Sequence, residues 1–251
     1  MQLLGHKIIG NGIKTIIVLH ELMGDHTNYD AMLPYLNTKD FKYIFVDLRG
    51  YGMSKDLKGE YSCDEAAYDV KELIEHLNLE DVNLLAHSMS TQIAQMVAIL
   101  EDKIKQLILI TPISASGIKM PKNSKDFLLE ELQKNEGKIE EIVQGASKRY
   151  NQTWIDYRVK MAYEASTLEA RVGYMRMYLE TDFLYEIRNK DIPIRIIVGK
   201  HDFPIFSKEN VSKIFKTTYN DVQILECQEA GHYPMIEAPV YFATQIEKFC
   251  K

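Results

Sequence analysis

The stretch Val82-Asn83-Leu84-Leu85-Ala86-His87-Ser88-Met89-Ser90 joins a short apolar run to a helical pattern that ends at Leu100. A serine with small residues two positions away on each side, between a strand and a helix, is typical of a nucleophile elbow. To expose its hydroxyl at so tight a turn, Ser88 must adopt an uncommon backbone conformation, for which only small neighbours leave room. The alternative is an ordinary strand followed by a helix that Ser88 or Ser90 caps.

The rest of the chain alternates short β-branched runs with helical patterns. Six runs are predicted to be strands: Lys14 to Leu19, Tyr43 to Val46, Val82 to Leu85, Gln106 to Ile110, Ile194 to Val198 and Val222 to Leu225. The helices predicted between them are Asp30 to Leu36, Ala66 to Leu77, Gln92 to Leu100, Ser207 to Phe215 and Val240 to Phe249. Continuous apolar runs suit strands that are buried on both faces. The alternation therefore predicts an α/β domain with a mostly parallel, doubly wound sheet.

Residues 118–190 interrupt this alternation, because they contain helical patterns and no strand-like run. The helices predicted there are Lys125 to Gln133, Ile139 to Lys148, Gln152 to Tyr163 and Leu168 to Glu180. We therefore predict that residues 1–117 and 191–251 form the core and that residues 118–190, the lid segment, form a helical cap. Its aromatic and methionine side chains, including Trp154 and Met161, are either internal packing or an adaptable apolar roof over a binding site.

Two further residues supply the chemistry that a serine nucleophile needs. A base must take the hydroxyl proton, and a carboxylate must orient that base. Asp202 lies just past a predicted strand, where open α/β sheets place functional loops, and His232 lies between the last predicted strand and the last helix. Singly, Asp202 would be read as a turn residue and His232 as a surface histidine. The order Ser88, Asp202, His232 is nucleophile, acid and base, so we predict a catalytic triad.

Acyl transfer also needs two hydrogen-bond donors for the oxyanion of its tetrahedral intermediate. The backbone N–H of Met89 is the first candidate, because it follows the nucleophile at a helix N-terminus whose dipole favours negative charge. The second donor is expected from the loop after the first long strand, where the N–H of Leu22 is the candidate.

Several other segments carry a family pattern. His20 and Gly24 match the ends of a His-Gly-x-x-Gly loop, residues 47–54 read Asp-x-Arg-Gly-x-Gly-x-Ser, and Gly199 and Gly231 precede the predicted acid and base. With the elbow, these segments resemble the α/β-hydrolase superfamily, in its capped esterase, lactonase and C–C hydrolase branch. The resemblance implies the α/β-hydrolase fold, with a helical lid inserted after the sixth strand. It also implies catalysis without a cofactor.

The chain departs from this pattern at Glu21, which stands where the family usually has glycine. An ionised carboxylate in the oxyanion hole would repel the developing oxyanion. We therefore expect Glu21 to turn away and pair with a cation, for which Arg49 is the leading candidate; the alternative is that Glu21 faces solvent. Asp47 and Arg49 are otherwise expected to have structural roles.

The combined interpretation is a serine hydrolase that cleaves a small carboxylic ester or lactone through an acyl-enzyme intermediate. Substrate contacts are expected from five residues: His20, Trp154, Met161, Phe203 and Tyr233. The alternatives are C–C bond hydrolysis, lyase chemistry or perhydrolysis on the same triad, and a ligand-binding receptor on the same fold.

Composition excludes several other classes of function. The net charge of -6 argues against a nucleic-acid partner, and no apolar run approaches the roughly 20 residues that a membrane span needs. Cys63, Cys227 and Cys250 are odd in number and widely spaced, which indicates reduced thiols and, with no secretory signal visible, a cytoplasmic location. No nucleotide motif or metal-ligand spacing is evident. We expect no cofactor and no metal, a small-molecule substrate, and a monomer or homodimer.

Overall fold

A seven-stranded sheet forms the centre of the protein in the computed structural model, which describes residues 2–146, 149–188 and 190–251. The strand order is β1-β3-β2-β4-β5-β6-β7, and only the pair β1 and β3 is antiparallel. The strands are β1 (His6–Ile9), β2 (Lys14–Leu19), β3 (Phe41–Val46), β4 (Val82–His87), β5 (Ile104–Ile110), β6 (Ile194–Gly199) and β7 (Val222–Cys227). The predicted fold class and all six predicted strands are confirmed. The strand β1 was not predicted, because this antiparallel strand at the sheet edge is short and only partly buried.

Helices cover both faces of the sheet, as a doubly wound fold requires. The helices outside the lid segment are α1 (Cys63–His76), α2 (Ser90–Leu100), α8 (Lys208–Thr218), α9 (Pro234–Glu237) and α10 (Pro239–Phe249). On one face α1, α2 and α8 share a core with alternate residues of the strands, such as Ile17. On the other face α10 and residues 26–35 pack with the intervening residues, such as Ile16. Residues 26–35 form a 3₁₀ helix, where the sequence predicted a helix from Asp30 to Leu36.

The lid segment consists of helices in the part that the structure describes. These are α3 (Lys122–Lys134), α4 (Lys138–Ala146), α5 (Gln152–Ala165), α6 (Leu168–Glu180) and α7 (Leu184–Ile187). The four predicted helices are present, although the predicted end of the second, at residues 147 and 148, lies outside the described residues. In the described chain the lid segment follows β5, the fifth strand, and not a sixth strand as predicted. Only one described strand, β1, precedes β2.

Local capping and one close approach fix how α5 and α6 leave the sheet. The side chains of Asn151 and Thr167 accept hydrogen bonds from the first turns of α5 and α6, which defines where both helices begin. The N–H of Thr167 donates to the carbonyl of Gly50 at 2.9 Å. Gly50 has a positive φ of 77°, and a Cβ there would collide with the methyl group of Ala170. The lid segment is therefore anchored to the loop after β3.

None of the helices in the described residues is both long enough and apolar enough to cross a membrane.

Candidate active site

Ser88 occupies a strained turn between β4 and α2. Its φ of 53° lies in the left-handed region, which non-glycine residues rarely adopt. The Ser88 N–H donates to the carbonyl of Ile110 at 2.9 Å, and its own carbonyl accepts from the Thr91 N–H at 3.0 Å and the Thr91 hydroxyl at 2.5 Å. These hydrogen bonds stabilise a backbone conformation that is unfavourable for a serine without them. The geometry agrees with the predicted elbow and not with a simple helix cap.

Asp202 and His232 lie on adjacent loops, at the carboxyl ends of β6 and β7. The Nδ1 of His232 lies 2.8 Å and 3.0 Å from the two carboxylate oxygens of Asp202. A Cβ on Gly199 would collide with the carbonyl of Gly231, so the glycine lets the two loops approach this closely. The N–H of Phe203 donates to Asp202 Oδ1 at 2.6 Å, which further orients the carboxylate. Both partners are buried, with side-chain exposures of 8% for His232 and 1% for Asp202.

The surroundings of His232 tune its basicity. Burial alone lowers its pKa, but the charge and hydrogen bond of Asp202, with smaller contributions from Glu21 and Glu237, raise the pKa above the ordinary 6.5. The neighbouring His87 has its pKa held well below 6.5, chiefly by burial. His87 donates from Nε2 to the His232 carbonyl at 2.8 Å, so it supports the histidine loop as a neutral ring. The pKa values of the two histidines shift in opposite directions because Asp202 acts on the His232 ring and not on the His87 ring.

Ser88 and His232 face the same cavity of about 400 Å³ between the sheet and the lid segment. Its wall is mainly apolar, and the polar groups that reach it are few. The other lining residues are Glu21, Leu22, Met23, Ile113, Ile118, Met120, Leu128, Ile142, Ala146, Met175, Tyr178, Leu179, Phe203, Pro204, Ile205, Phe206 and Tyr233. A mostly apolar cleft with a few convergent polar groups is the usual form of a small-molecule site.

The two predicted oxyanion donors flank this cavity. Leu22 lies in its wall, and Met89 directly follows Ser88 at the start of α2. Within the described residues, neither of these N–H groups has a hydrogen-bond acceptor. The loop that carries Leu22 is held rigidly: the Tyr51 hydroxyl donates to the Leu22 carbonyl at 2.9 Å, and the His20 ring donates from Nδ1 to the Glu21 carbonyl at 2.8 Å. Both donors are thus available for a ligand oxygen.

Glu21 is paired, but the predicted partner is wrong. Arg49 forms a two-pronged ion pair with Asp69, at 2.6 Å and 2.7 Å, because helix α1 brings that carboxylate to it. The cation beside Glu21 is Arg158 of α5, whose Nη2 lies 3.1 Å from Glu21 Oε1. Asn28 donates to the same oxygen at 2.8 Å. Sequence spacing could not show this contact, which joins residues 137 positions apart.

The predicted substrate contacts divide into two groups. Phe203 and Tyr233 line the cavity, as expected. His20 does not, because its ring is fully buried and used within the loop, where Nε2 accepts the Leu48 N–H at 3.1 Å. Trp154 packs against the rings of Tyr150 and Tyr233, outside the cavity wall. Met161 lines a separate surface pocket on α5. The structure therefore does not place these three side chains in the cavity wall. For Trp154 and Met161 the reason is that helical spacing does not reveal which face of a lid helix meets the cavity.

Sequence reasoning also missed Arg158 and Asn28 and most of the apolar wall. Arg158 is fully buried, which is rare for an arginine. The only sign of this burial in the sequence is Ala162, a small apolar residue four positions later. That spacing places Arg158 and Ala162 on the same face of a helix. Among the methionine and tyrosine residues of the lid segment, Met120, Met175 and Tyr178 line the cavity.

One group of possible metal ligands was not expected from spacing. Asp25, His26 and Asp47 bring ligand atoms within 4.8 Å of one another. The Asp47 carboxylate accepts from the His26 N–H at 2.8 Å, from the His26 ring at 2.7 Å and from the Met53 N–H at 2.8 Å. Asp25 accepts from the Thr27 N–H at 2.9 Å. These bonds account for the cluster as a structural link between two loops, as expected for Asp47.

Comparison with known proteins agrees with the fold. Residues 14–239 match the family model described as alpha/beta hydrolase fold. The chain is 21% identical to the karrikin insensitive 2 receptor IA of Petunia hybrida, over 95% of this chain and 90% of that protein. Among solved structures, an esterase from Exiguobacterium antarcticum superposes with a TM-score of 0.86 at 20% identity, covering 98% of this chain and 94% of the other. The enol-lactonase from Burkholderia xenovorans LB400 gives 0.82 at 19% identity, covering 98% and 95%.

Proposed function

The chain belongs to the alpha/beta hydrolase family, and we propose that within it the protein is a serine hydrolase that cleaves an uncharged carboxylic ester or lactone. The observation that carries the proposal is the pairing of His232 with Asp202 at the wall of the cavity that Ser88 also lines. Two N–H groups that have no hydrogen-bond acceptor within the described residues support the proposal, since an oxyanion needs two donors. Leu22 carries one and lines the cavity, and Met89, which follows Ser88, carries the other.

The proposed mechanism uses only these groups. His232 takes the proton of Ser88 as the Ser88 oxygen attacks the substrate carbonyl, and Asp202 stabilises the resulting imidazolium. The carbonyl oxygen becomes an oxyanion held by the Leu22 and Met89 N–H groups. When the tetrahedral intermediate collapses, the ester C–O bond breaks and His232 gives its proton to the departing alcohol. Water then attacks the acyl-enzyme by the same steps, which releases the acid and restores Ser88.

The cavity wall supports an apolar acyl or alcohol group. No lysine or arginine in the described part of the chain lines the cavity, whereas the acidic residue Glu21 is among its lining residues. An anionic acyl group would lose its hydration there without gaining a partner. We propose that residues 118–190 act as the cap that encloses this group and excludes water.

A panel of p-nitrophenyl esters tests the proposal. We expect hydrolysis of the acetate and hexanoate esters, with a higher kcat/KM for hexanoate because more apolar surface is buried. The half-ester of adipate has the same chain length but ends in a carboxylate, and it should be a much poorer substrate. Labelling of Ser88 by a fluorophosphonate, absent in Ser88→Ala, would identify the nucleophile. A protein that neither hydrolyses esters nor takes the label would contradict the proposal.

A receptor is the second candidate, favoured by the similarity to the Petunia receptor over nearly the whole chain. The two functions differ in turnover. A receptor would bind a lactone quickly and release the product slowly. A burst of one product molecule per protein molecule, without steady turnover, would therefore favour the receptor. Including a C–C substrate and peroxide in the panel distinguishes the other reactions that the same triad supports.

A further inference from the structure

A buried ion pair connects the lid segment to the loop that presents an oxyanion donor. Arg158 of α5 and Glu21 have side-chain exposures of 0% and 3%, and their charged groups lie 3.1 Å apart. Asn28 bridges them, because it donates to Glu21 Oε1 and accepts from Arg158 Nη1. Moving two charges out of water is costly, and such pairs commonly add little stability over apolar residues. Stability is therefore a weak explanation for this pair.

The pair acts on the backbone around Leu22. One oxygen of Glu21 accepts from the Met23 N–H, and the other accepts from Arg158 and Asn28. The carboxylate thus spans the Leu22 peptide, and both of its oxygens are engaged. A glycine at position 21, as in the family pattern, would offer no such brace. A Glu21 without its cation would leave an uncompensated negative charge in the cavity wall, where the oxyanion develops.

Arg158 also contacts the other side of the site. Its guanidinium lies 4.1 Å from the ring centre of Tyr233, which directly follows His232. A second contact also joins the lid segment to the histidine loop: the Ala146 carbonyl at the end of α4 accepts the His232 N–H at 3.0 Å. The lid helices therefore hold both the oxyanion loop and the histidine loop.

We propose that Arg158 is a positioning residue: its guanidinium neutralises Glu21 and fixes the loop that presents the Leu22 N–H to the oxyanion. This inference rests on the proposed serine hydrolase. It predicts that Arg158 acts on turnover more than on binding, since the oxyanion forms only after the substrate is bound.

Arg171 provides a matched control. It is a buried arginine of the adjacent helix α6, and it also lies over a tyrosine ring, that of Tyr163 at 5.3 Å. Its partners are neutral and lie within the lid segment: the carbonyls of Ala162 and Ser166, the Ser166 hydroxyl and Asn135. Arg171→Met therefore removes a buried arginine from the lid without removing a hydrogen bond to the oxyanion loop.

The experiment measures kcat and KM for p-nitrophenyl acetate in five proteins: wild type, Arg158→Met, Glu21→Gln, the double variant and Arg171→Met. We expect Arg158→Met to lower kcat by about 10- to 100-fold with KM nearly unchanged, as for other losses of oxyanion geometry. Glu21→Gln should lower kcat only modestly. The double variant should recover most of the loss, because glutamine removes the unpaired charge and keeps an acceptor for the Met23 N–H.

The outcomes separate the inference from the proposed function. If Arg158→Met and Arg171→Met lower kcat equally, or Glu21→Gln does not rescue Arg158→Met, then the pair only packs the lid and the inference is wrong. A wild type that is inert to every ester and to the fluorophosphonate would instead overturn the proposed function, and the inference with it. If Arg158→Met does not fold, Arg158→Gln replaces it, because glutamine removes the charge and keeps a polar group for Asn28.

Discussion

The loops at the carboxyl ends of the sheet and the helices of the lid segment contribute to the same cavity in different ways. Each sheet loop carries its chemistry within a few residues, as in the turn at Ser88 or the segment from Gly199 to Asp202. The contribution of a lid helix depends on which of its faces points into the cavity. Packing against the rest of the protein determines that face. Arg158 and Met161 lie three residues apart on α5, yet the first meets the oxyanion loop and the second a separate pocket. Local motifs identify chemistry, whereas packing selects the residues around it.

The largest expected effect tests the sheet side of this comparison. Ser88→Ala should reduce kcat by roughly a millionfold, because the nucleophile is removed from a group that acts as a unit. Esterase assays and far-ultraviolet circular dichroism should show a folded, inactive protein. Ser116→Ala, a change at a serine that lines a different pocket, should leave kcat unchanged. Activity above a few per cent in Ser88→Ala would mean that another residue is the nucleophile.

The next effect concerns the acid of the same side. Asp202→Asn should lower kcat by about 10⁴-fold, since the imidazolium loses its partner. Because the raised pKa of His232 depends on Asp202, activity of the wild type should fall as the pH drops through a value above 6.5, where His232 gains a proton. The residual activity of the variant should keep this acid limb at lower pH. A pH profile of kcat/KM that is identical in both proteins would contradict the assignment of His232 as the base.

A smaller effect tests the lid side with two half-buried methionines. Met120 lines the cavity and Met161 does not. Met120→Ala should raise KM for the hexanoate ester by about 5- to 20-fold relative to the acetate ester, because apolar contact is lost. Met161→Ala should change both substrates alike. Equal selectivity in the two variants would mean that the cavity is not the acyl site.

The smallest effect lies outside the cavity. The hydrogen bond that the His26 ring donates to the Asp47 carboxylate raises the pKa of His26, so folding favours the protonated ring. Its contribution is present at low pH and is lost as the pH rises through the raised pKa. His26→Ala should therefore reduce the free energy of unfolding by about 1 kcal/mol more at pH 6 than at pH 9. Urea unfolding at both pH values measures this, and a loss that does not depend on pH would show that the charge is unimportant.

Prediction from the sequence succeeded where a residue's role follows from its neighbours. The β-branched runs indicated six strands because each is continuous and mainly apolar. Five of these strands are buried along most of their length, whereas β7 at the sheet edge is only partly buried. Prediction from the sequence failed for β1, whose polar residues give no continuous apolar run, and for the partner of Glu21. Arg49 was expected to pair with Glu21 because its loop follows a neighbouring strand, but Arg49 forms a two-pronged ion pair with Asp69 on α1.

By itself the sequence determined the doubly wound sheet, the order of Ser88, Asp202 and His232 along the chain, and the helical character of the described part of residues 118–190. Periodicity and turn chemistry are local properties, so they can be read without coordinates. Only the tertiary structure decided that Arg158 neutralises Glu21, that His20 braces a loop instead of touching the cavity, and that Trp154 and Met161 lie outside its wall. Those outcomes depend on which side chains meet across more than a hundred residues of chain, where burial and charge pairing select one contact from many that the sequence allows.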